Sequence, residues 1–365
     1  MRALIVNPRA STQYICNTIG DKECLGFAKL LYELGYDVDY LKNKYMCPDR
    51  EYYNIVVKPD INSYDKVFLY NFQPNFYGGK YNSFIIDIYF LLAKYTGNIY
   101  YMFVDCGIKF KQIFPSQILK WDIFKKNPKS TYTINNIIYM SQGYDLSITK
   151  KTIGRVNGVN KDVIKYFPFY LTTLLYDNIS LSPIYNYPRE FDLYYGGSFR
   201  KGNRTDKFIK YFFNNANIRV GLYGTIESKN FVDIADISRV KFNPPVIQQE
   251  IIEENKKGFA TIVLSENKYN NNMLTLRIFE SILANMVVFI DEPFDSNHVI
   301  YRNYPVLEKY VYVNTGKELE DKIIELKTNR ELYNAIINEQ HKFFRDMLNM
   351  DNLKQLLRSA IDDIQ

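Results

Sequence analysis

Short apolar runs alternate with longer stretches of helical periodicity along most of the chain. The short runs predict buried strands, and the amphipathic stretches predict helices. In the first half, strands are predicted at residues 3–6, 37–40, 66–70, 99–104 and 137–140, with helices at 23–34 and 83–94. In the second half, strands are predicted at 192–195, 219–223, 260–264 and 287–290, with helices at 205–214, 250–257, 275–284 and 317–326.

This alternation is typical of parallel sheets built from strand–helix–strand units. Because it restarts after an irregular stretch at residues 171–188, the sequence predicts an α/β protein with two Rossmann-like, doubly wound domains. Apolar residues at helical spacing predict a final amphipathic helix at 351–364.

Composition narrows the class of protein without naming a function. The 365 residues are 47% hydrophobic and 24% charged, as in a soluble globular protein, and the net charge of +6 is compatible with a polyanionic partner. Four cysteines without CxxC spacing and two histidines argue against a zinc site and a disulfide framework. No apolar run approaches the roughly 18 residues of a membrane span, so we expect a cytoplasmic protein.

A glycine pair and two arginines form the first candidate site. The strand predicted at 192–195 leads into Gly196 and Gly197, and a loop with Arg200 and Arg204 then precedes a helix. Main-chain amides next to small residues, a helix N-terminus and two guanidinium groups can together bind a diphosphate. The alternative is a tight turn followed by solvated arginines.

One basic and one acidic residue lie a turn apart on the helix predicted at 275–284. Arg277 and Glu280 share one face, and the apolar residues turn towards the core. An arginine can bind a phosphate and a carboxylate can bind a ribose diol, so the pair suits a nucleotide. The alternative is a surface ion pair of small energetic worth.

Two carboxylates of the first half are further candidates. Asp105 follows the strand predicted at 99–104, and the carboxyl ends of such strands border the ligand crevice. A desolvated aspartate there can act as a general base, although an aspartate in this position is also a common helix N-cap. Glu23 lies at the start of the first predicted helix, where the helix dipole favours a surface carboxylate.

A series of short motifs follows in order along nearly the whole chain. It comprises Asn75-Phe-Tyr-Gly-Gly-Lys80, Ile99-Tyr-Tyr-Met-Phe-Val-Asp105, Ser141-Gln-Gly143, Tyr166-Phe-Pro168, Tyr195-Gly-Gly-Ser-Phe-Arg200 with Arg204, Tyr269-Asn270, Leu276-Arg-Ile-Phe-Glu280 and Ile290-Asp-Glu-Pro-Phe-Asp295. In order and spacing these motifs resemble the DNA β-glucosyltransferases of T-even bacteriophages.

The resemblance implies a GT-B fold, with two domains facing across a cleft, and an inverting transfer of glucose from UDP-glucose. The implied acceptor is the hydroxyl of 5-hydroxymethylcytosine, or of a related hydroxymethylated base, in duplex DNA, and the product protects viral DNA from restriction. Asp105 matches the catalytic base. The implied substrate-binding residues are Ser198, Arg200, Arg204 and Arg277 at the diphosphate, Glu280 at the ribose, the main chain of Val246 at the uracil, and Glu23 at the sugar.

The resemblance also implies domain roles and partners. Residues 1–180 would bind the acceptor DNA, residues 181–345 would bind the UDP-sugar, and residues 346–365 would form a helix that packs back on the first domain. Mg²⁺ or Mn²⁺ would bind through the donor phosphates, because the sequence has no aspartate-rich metal motif. Double-stranded DNA and a UDP-sugar are the expected partners of a monomer without membrane contact, in the cytoplasm of the infected host cell.

Two other functions fit parts of the sequence. A GT-B transferase with the same UDP-binding residues could act on a non-DNA acceptor, such as a glycan, a small molecule or a free nucleotide. A DNA-binding protein could keep the fold only as a scaffold, but it would then be expected to lack the base or the phosphate-binding arginines. The sequence retains Asp105, Arg200, Arg204, Arg277 and Glu280.

Overall fold

The structure is a computed structural model with two compact units. It describes residues 1–7, 19–41, 51–70, 72, 83–103, 120, 122, 137–154, 161–177, 179–182, 189–199, 203–215, 217–233, 235–264 and 269–362. The first unit comprises Met1–Ile179 together with Leu348–Gln365, and the second comprises Ser180–Met347.

The first unit is built on a parallel sheet that has seven strands within the described residues. They are β1 (Arg2–Val6), β2 (Asp37–Leu41), β3 (Asn54–Val56), β4 (Lys66–Tyr70), β5 (Ile99–Phe103), β6 (Ile137–Ser141) and β7 (Ile164–Tyr166). Their spatial order is β3-β2-β1-β4-β5-β6-β7. After β3 the chain returns to the other side of β1, so the topological switch point lies between β1 and β4.

The second unit repeats this plan with a parallel sheet of six described strands. They are β8 (Phe191–Ser198), β9 (Val220–Thr225), β10 (Val240–Asn243), β11 (Gly258–Val263), β12 (Val287–Asp291) and β13 (Tyr312–Val313). The order is β10-β9-β8-β11-β12-β13, which places the second switch point between β8 and β11.

Helices connect the strands of both units. In the first unit they are α1 (Ile19–Glu33), α2 (Ser83–Lys94), α3 (Leu146–Gly154) and α4 (Phe169–Asp177). In the second unit they are α5 (Asn203–Phe208), α6 (Ile251–Asn255), α7 (Leu276–Leu283), α8 (Pro305–Tyr310), α9 (Gly316–Thr328) and α10 (Arg330–Met347). The last helix, α11 (Met350–Ile361), belongs to the first unit.

Local sequence signals explain where several helices begin and end. Gly35 has a φ of 85° and terminates α1, because its amide and the next one donate back to the carbonyls of Tyr32 and Leu31 at 2.8 and 3.1 Å. The Thr315 hydroxyl accepts the amide of Glu318 at the start of α9. Asn349 caps α11 in the same way.

The structure contains the two parallel-sheet α/β units that the alternation predicts, and it adds elements that the sequence reading missed. The missed strands β3, β7, β10 and β13 have two to four residues each, too few for a recognisable pattern. The 18-residue helix α10 was also missed, although its buried Tyr333, Ile336 and Ile337 follow helical spacing. The helix predicted at 205–214 consists of α5 and a π-helical turn at Ile209–Phe213.

The end of α11 is held to the amino edge of the first sheet. The carbonyl oxygen of Ile361 accepts hydrogen bonds from Lys66 Nζ at 2.8 Å and from the buried Tyr100 hydroxyl at 2.9 Å. Burial lowers the pKa of the Lys66 ammonium. Leu353 and Leu357 of the same helix have no exposed surface. Polar and apolar contacts therefore both fix this helix. In the described part of the chain, no helix is long and apolar enough to cross a membrane.

We expect Tyr100→Phe to loosen α11, because it removes one of the two donors to the Ile361 carbonyl. The loss of about 1 kcal/mol corresponds to roughly fivefold faster amide hydrogen exchange in residues 350–361. Tyr32→Phe is the matched control, since it removes an exposed phenol. Equal exchange in the two variants would show that the Tyr100 hydrogen bond does not hold the helix.

Candidate functional site

The carboxyl edge of the second sheet brings together several of the predicted residues. β8 and β11 flank the switch point, and open α/β sheets bind ligands outside the carboxyl ends of such strands. β8 ends at Ser198, and α7, which contains Arg277 and Glu280, follows β11 along the chain. The strands that border the switch point therefore supply both candidate segments.

Gly196 and Gly197 lie in the last part of β8, which contradicts the alternative of a tight turn at this position. They pair in parallel register with Tyr223 and Gly224 of β9. A Cβ on Gly196 would lie 1.9 Å from the Tyr223 ring, and a Cβ on Gly224 would lie 2.1 Å from the carbonyl oxygen of Gly197. The two strand ends therefore pack too closely to accommodate side chains at these glycines.

The Arg277 side chain lies against the end of β8. Its guanidinium carbon is 4.3 Å from the centre of the Tyr195 ring, which is within cation–π range. A Cβ on Gly197 would lie 2.7 Å from Nη2 of Arg277. The buried Tyr195 ring is itself fixed by an edge contact with Phe208. These contacts favour the phosphate-binding interpretation of Arg277 over a surface ion pair.

The polar face predicted for α7 is confirmed. Arg277 and Glu280 are half-buried, whereas Ile278, Phe279 and Ile282 have no exposed surface. The helix therefore packs its apolar face and leaves both charged residues at the side that carries the Tyr195 contact.

Arg204 is a second cation at this strand end. Its Nη1 donates a hydrogen bond to the carbonyl oxygen of Ser198 at 3.1 Å. Its Nε is buried and has no hydrogen-bond partner among the described residues. A buried donor without a partner is costly, so an anionic oxygen at this position would be stabilised.

Val246 follows Pro245, one of the residues that line a cavity of about 420 Å³ at the carboxyl ends of β9 and β10. It is partly buried and packs on the aromatic cluster that contains Phe191, Tyr194 and Tyr223. The cavity combines the Phe242 ring and two prolines with the charged residues Glu227 and Lys229, and a mixed pocket of this kind can hold a planar heterocycle. Its lining includes Gly224, Thr225, Phe242, Asn243, Pro244 and Pro245.

The charges of α7 also act on this cluster. Burial raises the pKa of the Tyr223 phenol, while Arg277 lowers that pKa and Glu280 raises it. The Tyr223 hydroxyl donates to Asn255 Oδ1 at 2.8 Å, which fixes the ring. The charged residues of α7 are therefore close enough to the buried Tyr223 to influence its phenol.

In the first unit, the position of Glu23 within its helix differs from the predicted one. α1 begins at Ile19, so Glu23 lies within the helix and not at its start. Glu23 is only 1% exposed, which contradicts the alternative of a surface carboxylate. Its carboxylate accepts a hydrogen bond from the Tyr70 hydroxyl.

Two predicted residues, Asp105 and Arg200, lie outside the described residues. Their roles stay predictions. In the sequence, Asp105 follows the end of β5 at Phe103, and Arg200 follows the end of β8 at Ser198.

Sequence reasoning did not assign a role to Tyr195 or Gly224. Tyr195 is one of 33 tyrosines, and no sequence pattern separates a ring that supports an arginine from a tyrosine of the core. Gly224 pairs with Gly197, but that pairing depends on the register of two strands. Both contacts become visible only in the folded chain.

The described part of the site does not form a binding site for a metal. No group of three or more His, Cys, Asp or Glu residues among the described residues is placed to hold an ion. Guanidinium groups, a serine and main-chain atoms dominate the strand end, and divalent Mg²⁺ or Mn²⁺ prefers carboxylate oxygens. A metal here would need most of its ligands from a bound substrate.

The chain is similar to known proteins over most of its length. Residues 1–171 match a family described as bacteriophage T4 β-glucosyltransferase. The DNA β-glucosyltransferase of Enterobacteria phage T4 is 28% identical over 340 residues, which cover 93% of this chain and 92% of that protein.

Two solved structures of T4 phage BGT are similar to this chain, each covering 99% of it and 100% of the T4 chain. The complex with UDP and Mn²⁺ is 26% identical with a TM-score of 0.74, and the UDP-glucose complex is 25% identical with a TM-score of 0.73. The similarity confirms the predicted fold class, two parallel-sheet α/β domains of the GT-B type. The chain is therefore similar to the bacteriophage T4 β-glucosyltransferase over 93% of its length in sequence and 99% in structure, as its motifs predict.

Proposed function

We propose that this chain is an inverting glucosyltransferase that moves glucose from UDP-glucose to a hydroxymethylated base in duplex DNA. The similarity to the T4 enzyme confirms the class, a UDP-glucose-dependent DNA glucosyltransferase. The observation that carries the proposal is the contact of Arg277 with Tyr195 and its approach to Gly197, with Arg204 at the same strand end. The proposed acceptor is 5-hydroxymethylcytosine, and the proposed benefit is protection of viral DNA from restriction.

The second unit is proposed to bind the donor. Arg277 and Arg204, together with Arg200 and the Ser198 hydroxyl, bind the diphosphate. Planar guanidinium groups can contact two phosphate oxygens at once, and they stabilise the negative charge that UDP gains as the glycosidic bond breaks. Glu280 accepts hydrogen bonds from the ribose hydroxyls, and the main chain at Val246 contacts the uracil.

The first unit is proposed to bind DNA and to activate the acceptor. The target base is extruded from the stack, at a cost of roughly a few kcal/mol. Asp105 removes the proton from its hydroxymethyl group as the oxygen attacks the anomeric carbon opposite to UDP, so the configuration inverts. Sequence-independent contacts from lysine and arginine side chains hold the phosphate backbone.

We expect a divalent cation, Mg²⁺ or Mn²⁺, to bind through phosphate oxygens of the donor and to offset charge on the leaving group. The described protein residues do not supply a carboxylate cluster for it. The arginines of the strand end therefore account for the protein's own share of leaving-group stabilisation. We also propose that the protein acts as a monomer in the cytoplasm of the infected host cell.

A transfer assay tests the function directly. Labelled UDP-glucose is incubated with otherwise identical duplexes that contain 5-hydroxymethylcytosine, 5-hydroxymethyluracil or unmodified bases. We expect label on the hydroxymethylcytosine duplex and none on the unmodified one. UDP-glucose binding without transfer to any duplex would instead support a non-DNA acceptor.

Asp105→Asn tests the proposed base, because an amide cannot take up the acceptor proton. We expect turnover to fall by about 10²- to 10⁴-fold while the Kd for UDP-glucose stays within about twofold. Single-turnover kinetics and calorimetry measure the two quantities. Unchanged turnover would remove Asp105 from this role.

Arg277→Ala tests the diphosphate site. The loss of charge-assisted hydrogen bonds should cost about 2 kcal/mol, so UDP binding weakens roughly 30-fold. Gly197→Ala is expected to weaken UDP binding too, since its Cβ displaces the guanidinium. Arg302→Ala, which removes an exposed arginine of the same unit, is the charge-matched control. Equal UDP affinity in the Arg277 and Arg302 variants would contradict the assignment.

A further inference from the structure

The switch point of the first sheet contains a buried pair that the proposed reaction does not yet use. α1 follows β1 along the chain, and Tyr70 is the last residue of β4, the neighbouring strand. Tyr70 and Glu23 are 2% and 1% exposed. The Tyr70 hydroxyl donates a hydrogen bond to Oε2 of Glu23. The pair therefore joins the two segments that flank this switch point.

The main chain at Glu23 is fixed from the opposite side by α4. The Thr172 hydroxyl donates to the carbonyl oxygen of Glu23 at 2.8 Å. A Cβ on Gly26, one turn further along α1, would lie 1.5 Å from the carbonyl oxygen of Thr172. The two helices thus pack backbone to backbone, and α1 cannot slide along α4 without a steric clash.

With its main chain fixed, the Glu23 carboxylate can move only by rotation of its side chain. The Tyr70 phenol opposes that rotation, since it lies on the rigid end of a buried strand. A buried carboxylate is costly without hydrogen-bond donors, and the Tyr70 hydroxyl supplies one. A carboxylate accepts several hydrogen bonds, and the one from Tyr70 orients the group without using all of its lone pairs.

We propose that Tyr70 is a positioning residue, which orients the Glu23 carboxylate to accept a hydrogen bond from a hydroxyl of the transferred sugar. The inference rests on the proposed function and on the contact with the sugar that the resemblance implies for Glu23. Hexoses differ in the direction of single hydroxyl groups. A carboxylate that is held in one orientation distinguishes these sugars better than a carboxylate that can rotate to meet either hydroxyl group. Tyr70 would therefore contribute to selection of the sugar and leave binding of the UDP portion unchanged.

The test compares UDP with UDP-glucose by calorimetry in the wild-type protein and in Tyr70→Phe, Glu23→Gln and the double variant. The measured quantity is the ratio of the Kd for UDP to the Kd for UDP-glucose, which isolates the contribution of the sugar. We expect Tyr70→Phe and Glu23→Gln each to lower this ratio roughly fivefold or more with unchanged UDP affinity. Because both act through one carboxylate, the double variant should show no further loss.

Tyr64→Phe is the matched control. It removes another buried tyrosine–carboxylate hydrogen bond of the same sheet, from the Tyr64 hydroxyl to Asp39 Oδ2 at 2.5 Å, near the amino edge. We expect it to leave the ratio unchanged. The ratio of the Kd for UDP-galactose to the Kd for UDP-glucose, measured in the same way, should fall in Tyr70→Phe and not in Tyr64→Phe.

Three results would overturn the positioning role of Tyr70. They are an unaltered ratio in Tyr70→Phe, a loss in the double variant equal to the product of the single losses, or a wild-type protein that binds UDP and UDP-glucose equally well. Because the measurement needs no DNA acceptor, it is separate from the test of the proposed function. If the Kd ratio depends on Tyr70 but no glucose is transferred to any duplex, only the proposed DNA acceptor would be disproved.

Discussion

The burial of parallel strands on both faces limits where polar groups can lie in this protein. All residues of β5, β6 and β12 are buried, so a charged side chain along these strands needs a partner, as Asp291 at the end of β12 has in Tyr211 and Lys207. Polar groups can face a ligand where the chain leaves the sheet. Since all strands of a sheet run in one direction, their carboxyl ends meet at one edge, and chemistry is confined to that edge.

Both units use this edge in a similar way, with opposite charge. In the first unit, Glu23 from the helix after β1 is held by Tyr70 at the end of β4. In the second unit, Arg277 from the helix after β11 lies against Gly197 at the end of β8. Each charged group is oriented by a neighbouring strand end. A carboxylate suits the hydroxyl groups of a sugar, and a guanidinium suits a diphosphate.

Local patterns predicted the parts of the fold that have long periodic signals. The central strands and the polar face of α7 were read correctly, because one face of each element is uniformly buried. Edge strands such as β13 were missed, because a strand of two residues is too short to show a pattern of apolar and polar positions. The sequence left a tight turn at Gly196-Gly197 open as an alternative, because glycines that allow close packing of two strands look the same in sequence as glycines of a turn.

The sequence by itself determined the fold class, the order of the central strands and the residues that are proposed to bind a nucleotide sugar. These properties depend on hydrophobic period and on ordered motifs, which are local. The tertiary structure decided which of those residues touch. The contact of Arg277 with Tyr195 joins residues 82 positions apart in the sequence. The burial of Glu23 beneath Tyr70 depends on the register of β1 and β4 and on the packing of α1 on α4. Long-range register and helix packing are set by the whole core, so no local pattern can encode them.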